Sequence, residues 1–307
     1  MSDLENGTLV QHTTLGVGKI VALETNAVHV FFPDGDKRFA AKLRLPAARA
    51  LLRTEGFERN TWLLGLSAFA LDPKLGRYAL AASWLTHDEA LDQFLAIFPA
   101  GFAEPAYVGG KGARAPRWRA AHGRWVEAFG DGEGERLLAA DDLDQLVARA
   151  LKVEAAIASL QPAADAGAVK LALSSDETTR PFFTALVELL SVPSPARARF
   201  EKLFAAARAL PVAPALQWLV ATLFPFVASP GRHVLFQPKI AREAADRLGC
   251  DLGDDAVPNW RTYGALRGLS TQLLEKLKPN GAKDFVDVEA FLHVTATAKR
   301  RGTRSTR

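Results

Sequence analysis

Near the C-terminal end of the sequence, Asp284, Asp287, Glu289 and His293 follow one another closely. Residues four apart share a helix face, so Glu289 and His293 could offer a carboxylate and an imidazole to one divalent ion, as in metal-dependent hydrolysis. The competing reading makes Asp284 and Asp287 helix-start acids and His293 a packed side chain. There is no H-E-x-x-H pattern and no second ligand cluster, so no metal site is expected. A second constellation lies at 111–125, where Lys111, Arg114, Arg117, Arg119 and Arg124 are interleaved with Trp118 and Trp125. Guanidinium groups bridge phosphates and indoles stack on bases, so this mixture suits a nucleic-acid strand. Trp118, Ala121 and Trp125 also recur at helical spacing, which would make them a core face with the arginines turned outward. Nucleic acid, a solvated face and an acidic protein partner all remain open for this segment.

The net charge of +4 hides a segregation. No acid lies between Glu104 and Glu127, and the tail after residue 298 carries Lys299, Arg300, Arg301, Arg304 and Arg307. The rest of the chain is therefore net acidic, a layout suited to a polyanion or an acidic surface. Cys250 is the one cysteine, which excludes an internal disulfide framework and multi-cysteine metal centres. Thr86 and Glu89 form a capping-box pattern ahead of "ALDQFLAIF", and Ser174-Ser175 lacks the G-x-S-x-G elbow of a serine hydrolase. Trp62, Trp84 and Trp218 sit in apolar runs and are expected in the core. No cofactor is expected.

The elements that must position these groups fall into two kinds. From Thr8 to Leu45, "TLVQH", "GKIVALE", "AVHVFF" and "KRFAAKLRL" have strand length and composition, with Pro33-Asp34-Gly35-Asp36 as a hairpin turn. From Pro46 onward, spacings of three and four predict helices, including "TWLLGLSAFAL", "HDEALDQFLAIF", a long one over "GERLLAADDLDQLVARALKVEAAIASL", and a buried helix pair over 214–228 divided at Pro225. "YVGGKGARAPRWRAAHG" reads as a flexible loop. Pro238 and Asn259 mark the starts of two of three final helices, and Asp284 or Asp287 caps the third. The expected fold class is α+β, mainly α: a small N-terminal SH3-like β-barrel followed by a large multi-helix domain. The expected boundaries are 1–46 for the barrel, 47–230 for a helical domain, 231–298 for a three-helix unit and 299–307 for a basic tail. The polar, acidic "MSDLENG" lacks a secretion-signal pattern, and no apolar run reaches the roughly 20 residues of a membrane span, so a cytoplasmic protein without membrane contact is expected.

The stretch Gly16-Val17-Gly18-Lys19 raises the question of phosphate binding. A P-loop requires glycine where Thr13 stands and Ser or Thr where Ile20 stands, and a dinucleotide fingerprint requires glycine at Val21 and a helix to follow. Both fail. Gly7, Val10, His12, Leu15, Gly16, Gly18 and Ile20, followed by Val28-His29-Val30-Phe31-Phe32, instead resemble the Tudor-like or SH3-like barrel of the CarD-type RNA-polymerase-interacting domain, of transcription-repair coupling factors and of the C-terminal end of UvrD-type helicases. The resemblance spans about 40 residues and implies a docking module for RNA polymerase or a DNA-repair complex, with a surface-exposed Lys19 and His12 bracing a loop. The C-terminal part resembles a helical segment of uncharacterised bacterial proteins, which implies no activity. The reading is a non-enzymatic interaction protein whose partner is a protein of transcription or repair, with DNA or RNA on the basic patches. The alternatives are a helical scaffold of a larger defence or repair complex that binds no nucleic acid, and a divergent metal-dependent nuclease.

Overall fold

The computed structural model describes residues 4–33, 39–58, 60, 63–64, 66, 69–80, 85–111, 113–160, 167–193 and 197–298. The expected turn at 34–36, Trp62, Trp84 and the tail cations Lys299, Arg300 and Arg301 lie outside them. The chain is 58% helical and 12% strand, α+β and mainly α, with a curled five-stranded sheet, a half-barrel, at the N-terminal end.

Strands β1 (Leu9–His12), β2 (Gly16–Leu23), β3 (Ala27–Phe31) and β4 (Ala41–Arg44) form where β-branched and aromatic residues cluster between turns. Helix α1 (Leu45–Leu51) then returns the chain to β5 (Leu52–Arg53). The sheet is antiparallel in the order β4-β3-β2-β1-β5, so it extends past the boundary expected at residue 46. A register shift between Ile20 and Ala22 bends it. Every residue of β3 is buried because both sheet faces are covered. Val10, Ile20, Val28 and Val30 pack under Ala48 and Leu52, while Leu9 and Phe31 pack under Leu63 and Leu66.

Gly16 has φ +73°, a turn conformation open to glycine. Gly18 is constrained by space: a β-carbon there would stand 2.5 Å from Phe32 Cδ1 and 2.8 Å from Val30 Cγ1. Gly18→Ala is therefore expected to lower stability by about 1–3 kcal/mol through overpacking. Gly123→Ala, whose added carbon meets nothing within 4 Å on a helix, should be neutral or stabilising. Urea unfolding of both variants checks the pair, and equal stability would remove the packing role assigned to Gly18.

The run "TWLLGLSAFAL" does not end as a helix. Phe69–Asp72 is strand β6, paired with β7 (Arg77–Leu80). The Asp72 carboxylate accepts from the Lys74 and Leu75 amides, at 2.8 and 3.1 Å, and this Asx turn overrides the helical spacing.

The body contains α2 (His87–Leu95), α3 (Pro105–Gly109), α4 (Arg114–Phe129), α5 (Glu133–Ala139), α6 (Leu143–Ala155), α7 (Ala168–Ala172), α8 (Asp176–Leu190), α9 (Arg197–Arg208), α10 (Pro214–Ala228), α11 (Pro238–Arg247), α12 (Trp260–Leu277) and α13 (Phe285–Thr297). The expected long helix is split into α5 and α6, because Asp141 takes φ +61° and the Asp142 carboxylate caps the Gln145 amide at 3.0 Å. The expected helix pair over 214–228 is one helix. All side chains from Gln217 to Val227 are buried, and at roughly 1.5–3 kcal/mol per large apolar group this outweighs the ~3 kcal/mol of an internal proline. The "flexible" glycine-rich stretch is mostly α3 and the start of α4, with Pro116 tolerated in the first turn. One core joins Phe94 and Trp118 to Trp218, Phe236, Tyr263 and Phe291, so 47–230 and 231–298 do not have separate cores. Among the described residues, no helix is long and apolar enough to cross a membrane.

Candidate functional site

Helix α4 is fixed by its apolar stripe. Ala115, Trp118, Ala121, Trp125 and Phe129 are buried, and Trp118 meets Phe226 of α10 edge-on at 5.2 Å. That stripe sets the rotation of the helix and aims Arg114 and Arg119 at the N-terminal half of α13. Helix α13 begins where Asp284 caps the Val286 amide at 3.0 Å. The two constellations that the sequence presents separately, the arginine–tryptophan segment and the acidic cluster, therefore meet.

Glu289 accepts from the Arg114 guanidinium at both carboxylate oxygens and from Trp118 Nε1 at 3.0 Å. Arg119 donates to Asp284 at 2.7 Å and to Asp287 at 2.9 Å. Asp287, 1% exposed, also accepts from the Tyr107 hydroxyl at 2.6 Å and from the Lys283 amide at 2.7 Å. Three carboxylates face two guanidiniums, and the excess negative charge lies in the first turns of α13, where the helix dipole favours it. Burial, then the charge and hydrogen bond of Asp287, raise Tyr107 far above the phenol range. His293 is pushed below the ordinary imidazole range by burial and by Arg114. Among the described residues, no group of three or more His, Cys, Asp or Glu side chains could hold a metal ion.

This narrows the set of α4 side chains open to a nucleic acid. Trp118 is 1% exposed and offers no face to a base, and Arg114 and Arg119 are paired within the fold. Arg124 and Lys111 are exposed, and Arg117 donates to Ser159. The cationic surface of α4 is thus smaller than its sequence suggests. Tyr107 and the Lys283 amide escaped the sequence reading because Tyr107 sits in the run taken for a loop.

In the sheet, His12 Nδ1 accepts from the Thr14 and Leu15 amides at 3.2 and 3.4 Å, bracing the β1–β2 turn. His29 is fully buried, with Nε2 2.8 Å from Glu24 Oε1 and its ring against Tyr78. Phe31 packs on Phe69 at 5.1 Å. Lys19 is not a surface residue. It is 8% exposed and donates to the carbonyls of Leu64 and Leu66 at 2.5 and 2.6 Å, and desolvation lowers its pKa. Leu66 in turn forms a bridge to Cys250, tying the sheet to the helical body. Burial pushes the Cys250 thiol up to about 12, so it stays protonated and is a poor nucleophile.

No family model, curated protein or solved structure matches the chain.

Proposed function

We propose that this chain is a non-enzymatic interaction protein that docks through its N-terminal sheet. In this reading the half-barrel is an SH3-like module of the kind found in CarD-type RNA-polymerase-interacting domains and at the end of UvrD-type helicases, and its partner is RNA polymerase or a DNA-repair complex. The observation that carries it is the edge of β4. Ala41–Arg44 pairs with β3 on one side, no described strand pairs with the other, and Lys42 and Arg44 are exposed along it. An unpaired edge is a template for a partner strand, and Arg44 favours an acidic one, whereas Lys42 is already paired with Glu24 at 2.8 Å.

Contact with DNA or RNA, in this reading, falls to Lys111, Arg117, Arg124 and the tail. The pairing of Arg114 and Arg119 with α13 favours, as a second reading, a helical scaffold that binds no nucleic acid. The same pairing engages the carboxylates that a metal-dependent nuclease would need.

The test uses two titrations of the full chain. Against short single- and double-stranded DNA and RNA at two salt concentrations, binding should weaken with salt and drop about tenfold or more in Lys111→Ala/Arg117→Ala/Arg124→Ala, since phosphate contacts release counterions. Against purified RNA polymerase, Lys42→Glu/Arg44→Glu should abolish binding while nucleic-acid affinity stays unchanged. Polymerase binding without nucleic-acid binding selects docking alone. No binding to either leaves the scaffold reading.

A further inference from the structure

We propose that Arg232 and Arg267 together bind a dianionic phosphate group where the loop between α10 and α11 meets α12. The loop is fixed on both sides. The Ser229 carbonyl accepts from the Arg232 and His233 amides at 2.9 and 3.1 Å, and the Pro230 carbonyl accepts from the Phe285 amide, at the start of α13, at 3.0 Å. The Val234 amide then donates to the Tyr263 hydroxyl at 3.3 Å, which joins the loop to α12. Arg267 lies one helical turn beyond Tyr263 and shares its face of the helix, so it stands beside the segment that carries Arg232 and His233. An added carbon at Gly231 meets nothing within 4 Å, so the loop leaves open space next to Arg232.

What this face lacks is negative charge. Arg267 is half-buried and Arg232 exposed, and among the described residues neither guanidinium is paired with a carboxylate. Asp284, across the loop, is held by Arg119. His233, 3% exposed, registers the imbalance: after burial, Arg267 and Arg232 are the charges that lower its pKa, and no carboxylate opposes them. A guanidinium withdrawn from water needs a counter-charge, and elsewhere in this fold Arg114 and Arg247 have theirs in Glu289 and Glu243. Two guanidiniums match the two charges and several oxygens of a phosphate, which they hold by bidentate hydrogen bonds, whereas a carboxylate or a phosphodiester brings one charge. The site uses none of Lys111, Arg117 and Arg124 and does not rest on the nucleic-acid reading.

The experiment is isothermal titration of the full chain at neutral pH with inorganic phosphate, phenyl phosphate, dimethyl phosphate and acetate. The two dianions should bind saturably at millimolar or lower concentration, at least about tenfold tighter than the two monoanions. Tighter binding of phenyl phosphate assigns the group to a monoester and equal affinity assigns the free ion, and either supports the site. Arg232→Gln and Arg267→Gln should each weaken phosphate about tenfold or more, whereas Arg261→Gln, which removes an exposed cation from the first turn of α12, should leave it unchanged. Gly231→Asp, which sets a carboxylate beside Arg232, should also weaken phosphate and decides the matter if Arg267→Gln does not fold. Absence of saturable phosphate binding to the parent, equal affinity for dianions and monoanions, or as large a loss in Arg261→Gln as in Arg267→Gln overturns the proposal.

Discussion

Replacing Glu289 by alanine is expected to lower stability by about 3–5 kcal/mol, read as a fall in the urea midpoint at unchanged slope. The carboxylate is 8% exposed and its partner Arg114 16%, so deletion strands a guanidinium that water cannot resolvate. It also leaves Trp118 Nε1, within a 1% exposed residue, without its acceptor, a loss of about 1–3 kcal/mol within that total. The double variant Arg114→Met/Glu289→Leu should recover most of the loss, because replacing a whole buried ion pair by apolar groups is often close to neutral. The orphaned indole N–H should then account for what remains. A Glu289→Ala protein as stable as the parent would falsify the clasp between α4 and α13.

That result also governs how charge variants on α4 are interpreted. Arg114→Ala and Arg119→Ala should unfold more easily, since Arg119 holds both Asp284 and the nearly inaccessible Asp287. Loss of nucleic-acid binding in Arg114→Ala would report on the fold and not on a phosphate contact, whereas Arg119, 43% exposed, mixes the two. Arg124, exposed on the same helix, is the informative position.

Local signals in the sequence proved reliable where the chemistry is local. Thr86 and Glu89 make the reciprocal cap, Asn259 caps the Thr262 amide at 2.9 Å, and Asp284 opens α13, each within a few residues of its partner. The strands from Leu9 to Arg44 were legible from composition, because burial on both sheet faces, complete in β3, demands runs of β-branched and aromatic residues. Partnerships between distant segments were not legible. Arg114 and Glu289 are 175 positions apart, and nothing in either neighbourhood signals the other. Lys19 is the sharper case. Its burial depends on the carbonyls of Leu64 and Leu66, which any residue could supply, so side-chain identity carries no trace of the contact. The β6–β7 hairpin was concealed by competing signals, because helical spacing in "LLGLSAFAL" masked the Asp-Pro and Gly of its turn.

Acidification provides the second large effect, through His233. The side chain is 3% exposed, its ring lies edge-on to Phe200 at 5.8 Å, and Arg267 and Arg232 are close. Burial first, and those two cations second, lower its pKa to about 4 from an ordinary 6.5. Between these values the unfolded chain takes up a proton that the folded chain refuses. Stability from this group is therefore complete above pH 6.5, falls as pH drops toward 4, and is gone below it. The drop amounts to roughly 3 kcal/mol, from 1.36 kcal/mol per pKa unit. His293, also shifted down by burial, adds a slope of the same sign. Urea unfolding of the parent and of His233→Phe from pH 7.5 to 4 separates the two, since phenylalanine keeps the aromatic contact with Phe200 and removes the titrating nitrogen. The curves should diverge below pH 6.5, with the variant the flatter. Parallel curves would mean that His233 protonates in the folded state as readily as in the unfolded chain, and would remove the role given to its burial and to the charges of Arg267 and Arg232.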